Sequence, residues 1–306
     1  MKILIFGGFG FIAHNLIPSL ISKENEEIMT TLTYHSNNSL NSLSNHEDKI
    51  KKLYCDITDD YKVNSIINDE EPDIIIHMAS SRYLEGQSAE IQLDINVKGF
   101  KNVLGSIKNN NKTRLIFVNS YIANLSGNYS NNVNFNNYLN SKKAASELFQ
   151  KNVQEGFVTG SELRLSTTYG PWDYKNRLVI STILYVASGR EIILKSPHSY
   201  RDFIYIDDIV DAINKLINKP FIKADLLELS SGKSNSVFQI VKKINKFMGS
   251  DFKNNFDAGK DDKMKTIMKS DNSLAKKLLS WSPKVKIDDG LKNTINWVLK
   301  NRIYYE

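Results

Sequence analysis

The sequence predicts an α/β fold: a doubly wound parallel sheet of Rossmann type in the N-terminal half, followed by a smaller C-terminal substrate-binding region. Three observations predict it. Short, unbroken apolar runs recur at residues 3–6, 74–76 and 115–118, the pattern of strands buried on both faces. Stretches with helical spacing lie between and after them, over residues 11–21, 63–68, 91–109 and 138–153. Gly7, Gly8 and Gly10 follow the first run directly, where a strand must turn sharply into a helix. Strands alternating with helices imply βαβ units with right-handed crossovers.

Each element has its own reason. The first strand, Ile3-Leu4-Ile5-Phe6, is stopped by glycine, and the helix over 11–21 begins at once. Residues 28–34 are rich in threonine and aliphatics and read as a second strand. Ile74-Ile75-Ile76 and Leu115-Ile116-Phe117-Val118 are two more buried strands, separated by the helix over 91–109. A helix opening at Tyr138 follows, and the asparagine-rich stretch 131–137 before it reads as a loop. Beyond Arg164 the alternation weakens, and Gly170-Pro171, Ser196-Pro197 and Lys219-Pro220 mark turns. Residues 1–165 are therefore expected to form a dinucleotide-binding domain. Residues 166–306 are expected to form mainly a substrate-binding region, with some segments returning to the first domain.

Composition narrows the function classes. The chain has 306 residues, 41% hydrophobic and 24% charged, with a formal net charge of +6. These values exclude disordered, collagen-like and coiled-coil chains. Cys55 is the only cysteine, so neither an internal disulfide nor a cysteine zinc cluster can form, and no metal site is expected. The basic residues are interleaved with acids, as in Lys260-Asp261-Asp262-Lys263, which reads as a solvated surface and not a nucleic-acid footprint. No apolar stretch approaches the ~20 residues of a membrane helix. The start of the chain has the basic and apolar character of a signal peptide, but its glycines and the lack of a cleavage pattern favour structure. A reducing, cytoplasmic compartment is expected.

The segment Gly7-Gly8-Phe9-Gly10-Phe11-Ile12-Ala13 carries the first chemistry. One glycine makes the tight turn, and Gly10 lets backbone amides approach a pyrophosphate. The helix N-terminus adds a favourable dipole. A glycine pattern alone is weak evidence, but here it joins a strand to a helix at the start of a βαβ series. An acid about 20 residues on would bind the ribose of NAD. That count reaches Thr33, and residues 31–36 read Thr-Leu-Thr-Tyr-His-Ser without a carboxylate. Loss of the acid removes repulsion against a 2′-phosphate, so the cofactor is NAD or NADP with a lean to NADP. His35 and Ser36 are candidate donors to that phosphate.

Tyr138 and Lys142 are four residues apart, and helical spacing puts them on one face. A free tyrosine has a pKa of ~10 and is a poor base at neutral pH. A neighbouring ammonium favours its phenolate. The pair can then give or take a proton at a sugar carbon while a hydride moves.

At this point the chain resembles the extended short-chain dehydrogenase/reductases, specifically the NAD-dependent epimerase/dehydratase family that modifies nucleotide sugars. Gly7, Gly10 and Ala13 match its cofactor loop, with Phe11 and Ile12 inside it. Asp56-Ile57 resembles its adenine-contacting segment. Ile76-His77-Met78-Ala79-Ser80 resembles its strand end Ile-His-Leu-Ala-Ala, and Arg82 sits where a basic residue often meets cofactor phosphates or substrate. Asn96-Val97-Lys98-Gly99 matches N-V-x-G. Leu163-Arg164 with Tyr169-Gly170-Pro171 resembles LRxxNxYGP, with Thr167 in place of the asparagine. Arg201-Asp202-Phe203-Ile204-Tyr205-Ile206-Asp207-Asp208 is similar to RDFIYVDD, whose arginine holds the substrate's nucleotide diphosphate. Trp281 and Trp297 fall in an ending that is structural in the family.

What the resemblance implies is a Rossmann-type domain, a nucleotide-sugar substrate bound through Arg82, Tyr121, Thr167 and Arg201, and a homodimer. One departure bears on mechanism. The family ends its fourth strand with a serine or threonine that polarises the sugar oxygen, and Ile122 stands there. Strand alternation puts Ser120 on the same face but ~6.6 Å short, with Tyr121 and Asn124 as other substitutes. Ala123-Asn124 replace the acid pair of the 4,6-dehydratases, so dehydration is not expected. The leading expectation is a 4-ketoreductase, with Tyr138, Lys142 and Ser120 catalytic. A 4-epimerase is the alternative, and a non-catalytic dinucleotide-binding protein is the reading that Ile122 raises.

Overall fold

In the computed structural model the described residues are 1–21, 29–34, 50–82, 88–108, 112–125, 132–194, 196–219, 226–250, 255–256 and 270–305. The chain divides into two compact units, Met1–Leu165 with Ile213–Leu227, and Ser166–Ala212 with Glu228–Glu306.

The first unit alternates strand and helix: β1 Lys2–Phe6, α1 Phe11–Ile21, β2 Met29–Tyr34, β3 Ile50–Tyr54, α2 Asp60–Glu70, β4 Ile74–His77 and α3 Ala89–Leu93. A π-helical turn, Asp94–Gly99, joins α3 to α4 Phe100–Ser106; then come β5 Arg114–Ser120, α5 Val133–Gln154 and β6 Thr159–Leu165. Strands β3, β2, β1, β4, β5 and β6 lie side by side in that order, every pair parallel. β10 Leu226–Leu229 flanks β6 and completes a sheet of seven. The order reverses between β1 and β4, and ligands of open α/β sheets bind at the carboxyl ends of strands beside such a reversal.

The core explains why these segments are strands. Ile3, Leu4, Ile5, Phe6, Ile75, Ile76, Leu115 and Ile116 are all at most 1% exposed, so both faces of the central strands are covered. One layer of helices packs Val63, Phe100, Val103 and Phe149 against Leu4, Phe6 and Phe117. Phe100 and Phe117 stack with centroids 4.1 Å apart.

The structure adds elements to the sequence reading. β3 and β6 are strands that apolar runs did not show. The helix expected over 91–109 is interrupted by the π turn. α5 begins at Val133, five residues before Tyr138, with Asn132 as its cap: Oδ1 accepts from Phe135 N at 3.1 Å. The asparagine stretch is therefore largely helix, not loop.

The second unit comprises β7 Thr167–Tyr169, α6 Leu178–Ala187, β8 Ile193–Leu194, β9 Tyr200–Tyr205 and most of α7 Ile206–Ile217. β11 Ser234–Ser236, α8 Val237–Phe247, β12 Asn255–Phe256, α9 Ser273–Leu279 and α10 Ile287–Lys300 complete it. β9 lies between β7, parallel to it, and β11, antiparallel to it. β8 pairs with β12.

Candidate active site

The turn after β1 is built so that glycine is obligatory. Gly7 has φ +83°, and an added Cβ would lie 2.7 Å from Ala79 N and 2.8 Å from the Met78 carbonyl carbon. Conformation and space both exclude a side chain there. Gly10 N donates to Gly7 O at 3.1 Å, and Gly10 O accepts from His14 N at 3.1 Å. The His14 ring nitrogen Nδ1 lies 2.9 Å from the same carbonyl, and burial holds this histidine below its ordinary pKa. Phe11 is buried, Ile12 is partly exposed, and the first turn of α1 carries no acidic side chain.

Thr33 shows what replaced an acid at the end of β2. It is buried at 3% exposure. Its hydroxyl oxygen accepts from Gly7 N at 3.4 Å, and its carbonyl accepts from Gly8 N at 3.0 Å. The position thus braces the glycine turn. His35 and Ser36 lie outside the described residues.

Asp56 follows β3 closely, and its Oδ1 accepts from Thr58 N at 2.9 Å and Thr58 Oγ1 at 2.8 Å. Ile57 is buried, and an added Cβ on Gly99 would meet its Cγ2 at 2.5 Å. The neighbouring Cys55 thiol is pushed up to about 11 by burial and the charge of Asp56, which keeps it unreactive.

The end of β4 and the face of α5 meet in a buried polar cluster. His77 is 1% exposed and stacks on Phe100 with centroids 4.6 Å apart. Burial, then the Lys142 charge, pulls its pKa down to about 3. Met78, Ala79, Ser80 and Arg82 follow, all partly exposed. Lys142 Nζ donates to Ser80 Oγ. Ser80 Oγ lies 2.9 Å from Asn96 Oδ1, which also accepts from Ser81 N at 2.9 Å. Asn96 Nδ2 donates to Ser141 Oγ at 2.9 Å, and Ser141 Oγ donates to Tyr138 O at 2.8 Å. Asn96 is 3% exposed, so its amide joins the π turn to α5 and to the end of β4.

Tyr138 is partly exposed, while Lys142, one helical turn later, is only 6% exposed. The Lys142 ammonium lies 5.7 Å from the centre of the Tyr138 ring. Burial lowers the Lys142 pKa to about 8. Within the first unit, the structure thus groups Tyr138, Lys142, Ser80 and Asn96, and sets the glycine turn against Met78 and Ala79.

The end of β5 differs from the alternation argument. The strand stops at Ser120, and Tyr121–Asn124 form a 3-10 turn. Ser120 caps that turn: its Oγ accepts from Ile122 N at 3.4 Å. Side-chain directions after Ser120 therefore follow the turn and not a strand's two-residue repeat. Tyr121 and Ile122 are buried at 8% and 6% exposure. Asn124 Oδ1 accepts from Arg164 Nη1, which ties the turn to β6.

Sequence reasoning missed Glu162. It is fully buried, and its carboxylate accepts from Arg164 Nε at 3.0 Å, Asn119 Nδ2 at 2.9 Å, Ser146 Oγ at 2.8 Å and Gln150 Nε2 at 3.0 Å. Asn119 Nδ2 also donates to Lys142 O at 3.2 Å. A carboxylate and a guanidinium two residues apart in a strand of otherwise short polar and apolar residues was the available signal.

The remaining sequence candidates, Thr167 and Arg201, belong to the second unit, on adjacent strands β7 and β9. Arg201 is partly exposed, whereas Asp202, on the opposite strand face, is buried. The Asp202 carboxylate accepts from Ser231 N, Ser231 Oγ and Gly232 N, each at 2.8 Å. Asp208 accepts from Lys284 N at 2.8 Å, and its carbonyl accepts from Trp281 Nε1 at 2.9 Å. Both aspartates fasten loops. Trp281 is buried at 2% exposure, and Trp297 packs on Trp172 with centroids 4.8 Å apart.

The donor set of the first unit suits a dinucleotide: a glycine turn whose Gly7 packs on the Met78–Ala79 backbone, a helix start without acids, and the Ser80 hydroxyl after β4 beside the Lys142 ammonium of α5. Residues 3–225 match the model of the NAD dependent epimerase/dehydratase family. The chain is 26% identical over 324 residues to a dTDP-glucose 4,6-dehydratase of Mycolicibacterium smegmatis, covering 100% of this chain and 95% of that one. A dTDP-glucose 4,6-dehydratase from Bacillus anthracis, solved in complex with NAD, superposes with a TM-score of 0.84 at 18% identity, covering 100% and 98%. A UDP-glucose 4-epimerase from Thermotoga maritima, solved with UDP-glucose, superposes with a TM-score of 0.85 at 20% identity, covering 99% and 100%.

Proposed function

The chain belongs to the NAD dependent epimerase/dehydratase family and is an enzyme, and on that premise we propose that it reduces a nucleotide-linked 4-keto sugar with NAD(P)H. The observation that carries this is the pairing of Tyr138 with a buried Lys142, whose Nζ is 5.7 Å from the phenol ring. The non-catalytic reading raised by Ile122 gives way to family membership.

When bound, the nicotinamide supplies the hydride. The chain's residues do the rest. Gly7, Gly10, Phe11 and Ile12 present backbone to the pyrophosphate. Asp56 and Ile57 serve the adenosine, and Met78, Ala79, Ser80 and Arg82 line the path of the cofactor. Lys142 binds the nicotinamide ribose and lowers the pKa of Tyr138, which gives its phenolic proton to the sugar's C4 oxygen. Arg201 is proposed for the nucleotide diphosphate, and Tyr121 and Thr167 for the sugar. Asn96 positions α5. Ser120 Oγ accepts from Ile122 N in the 3-10 turn and keeps its own proton to donate to the sugar oxygen.

The lack of a carboxylate over residues 31–36 supports acceptance of NADPH as well as NADH. A 4-epimerase using the same residues is the second reading, favoured by the likeness to the Thermotoga maritima epimerase. We also infer a homodimer, supported by Ile91 and Leu93 of α3, which are 46% and 47% exposed, and a cytoplasmic location. Among the described residues no helix is long and apolar enough to cross a membrane, and no group of three or more His, Cys, Asp or Glu side chains could hold a metal ion.

The test is a panel of nucleotide sugars and nucleotide-linked 4-keto sugars with each cofactor. NAD(P)H consumption on a 4-keto substrate supports the reductase. Interconversion of C4 epimers without net NAD(P)H consumption replaces it with the epimerase. Tyr138→Phe should lower kcat by ~10²–10⁴-fold while leaving cofactor affinity intact; undiminished turnover removes Tyr138 from the mechanism.

A further inference from the structure

Ser80 stands where the resembling strand end, Ile-His-Leu-Ala-Ala, has its last alanine, so its hydroxyl is additional to that pattern. The structure puts the hydroxyl at a junction. It accepts from Lys142 Nζ, and it lies 2.9 Å from both Ser81 O and Asn96 Oδ1. A serine hydroxyl has one proton and two lone pairs. It therefore donates to one of those two oxygens at a time and keeps a lone pair for the amine. Asn96 Oδ1 does not depend on that proton, because Ser81 N donates to the same oxygen at 2.9 Å. The proton is thus available to turn toward Lys142 once the amine has lost one of its three protons and gained a lone pair that can accept. The junction is satisfied whether Lys142 is charged or neutral.

We propose that Ser80 is a positioning residue for Lys142: its hydroxyl fixes the buried amine one turn from Tyr138 and stabilises the charged form. This rests on reading Tyr138 and Lys142 as the proton-handling pair. The other titratable groups on the elements packed around this part of α5 do not take over the task. His77 on β4 is neutral above about pH 3. Glu162 and Arg164 on β6 are bound to each other at 3.0 Å. Tyr121 on the 3-10 turn is buried, while Glu90 on α3, Asp94 and Lys98 on the π turn and Lys101 on α4 are exposed to water. Burial already brings Lys142 down to about 8, and the acceptor at Ser80 opposes a further fall.

The experiment is a pH titration of Lys142 by ¹³C-lysine NMR in the full chain without added cofactor, the resonance assigned by its loss in Lys142→Arg. Ser80→Ala should lower the Lys142 midpoint by ~1 pH unit or more, because a buried ammonium loses a charge-assisted acceptor. Ser80→Thr should restore it to within ~0.3 unit, and Ser80→Cys, a weaker acceptor, should fall between. The Cys and Thr variants carry the comparison if the alanine variant does not fold. In steady-state assays, the pH at which kcat is half-maximal should move with that midpoint. An unmoved midpoint in the Ala and Cys variants overturns the proposal, even if the wild-type enzyme is active. A shifted midpoint in a protein that turns over no nucleotide sugar upholds the Ser80–Lys142 coupling and sinks the proposed function instead.

Discussion

Replacing Lys142 with methionine should make the protein more stable while it loses activity, and the gain should depend on pH in a defined direction. Lys142 is 6% exposed, and the pKa of its amine falls from 10.5 to about 8 on burial. Each pH unit of that fall is worth about 1.4 kcal/mol, so the charged amine costs the native state roughly 3 kcal/mol at neutral pH. The sign follows from proton binding. A base with a lowered pKa binds fewer protons folded than unfolded between about 8 and 10.5. Its cost is therefore complete below pH 8 and disappears as pH rises past 10.5. Methionine keeps an unbranched stem of similar reach. Ser80 Oγ keeps Asn96 Oδ1 and Ser81 O as partners, so no buried group is orphaned. Urea unfolding of Lys142→Met at pH 7 should show a gain of about 2–3 kcal/mol over wild type, shrinking toward zero near pH 10.5. A variant less stable at pH 7, or a gain of the same size at both pH values, refutes the reasoning.

Three further outcomes follow from buried or strained groups. His77 is held at about 3 against an ordinary 6.5, so its neutral form stabilises the fold fully above pH 6.5, and that contribution is lost as pH falls toward 3. His77→Leu should flatten the acid side of the stability curve; wild type and variant declining in parallel from pH 6.5 to pH 4 in urea midpoints would contradict this. Gln92 is fully buried, and its Oε1 and Nε2 have no hydrogen-bond partner among the described residues. Gln92→Met should therefore add about 1–3 kcal/mol, and a fall in calorimetric Tm would be the contrary result. Gly7→Ala must place a Cβ 2.7 Å from Ala79 N at φ +83°, on top of the ~1–2 kcal/mol penalty of a left-handed backbone. It should lower Tm and weaken dinucleotide binding at least ~10-fold by fluorescence titration; wild-type values for both would show that the turn yields.

The parts of the fold that were legible are those where local pattern and tertiary burial coincide. β1, β4 and β5 are continuous apolar runs because both sheet faces are covered, and α1 is marked by the glycines before it. β3, Ile-Lys-Lys-Leu-Tyr, escaped because it is the last strand of the sheet, and its lysines stay in contact with water. β6 escaped for the opposite reason. Glu162 lies fully buried within it, and four donors satisfy its carboxylate, so a strand inside the sheet carries a polar sequence. The π turn at Asp94–Gly99 has no local breaker to announce it. The start of α5 was hidden because asparagine favours caps and turns, and here Asn132 caps while the asparagines after it lie in the first turns. At the site, the four-residue spacing of Tyr138 and Lys142 was readable. The end of β5 was misjudged at Ile122, because alternation holds only while a strand continues, and this one stops at Ser120.

The cluster around Lys142 was invisible in one dimension because its members come from three places: the end of β4, the π turn and α5. That dispersion has a physical consequence for α5. Leu139, Ala145 and Phe149 bury an apolar stripe, and a helix sliding by one turn along such a stripe would still find apolar contacts. The polar contacts allow no such tolerance. Asn96 Nδ2 reaches Ser141 Oγ, and Lys142 Nζ reaches Ser80 Oγ. A shift of one turn would leave Asn96 and Lys142 buried without these partners, and each orphan costs about 1–3 kcal/mol, more where it is charged. Hydrophobic burial therefore holds α5 against the sheet, while the hydrogen-bonded chain from β4 sets its register. The register is what sets the Tyr138–Lys142 face of α5 against the end of β4, where Ser80 holds the amine.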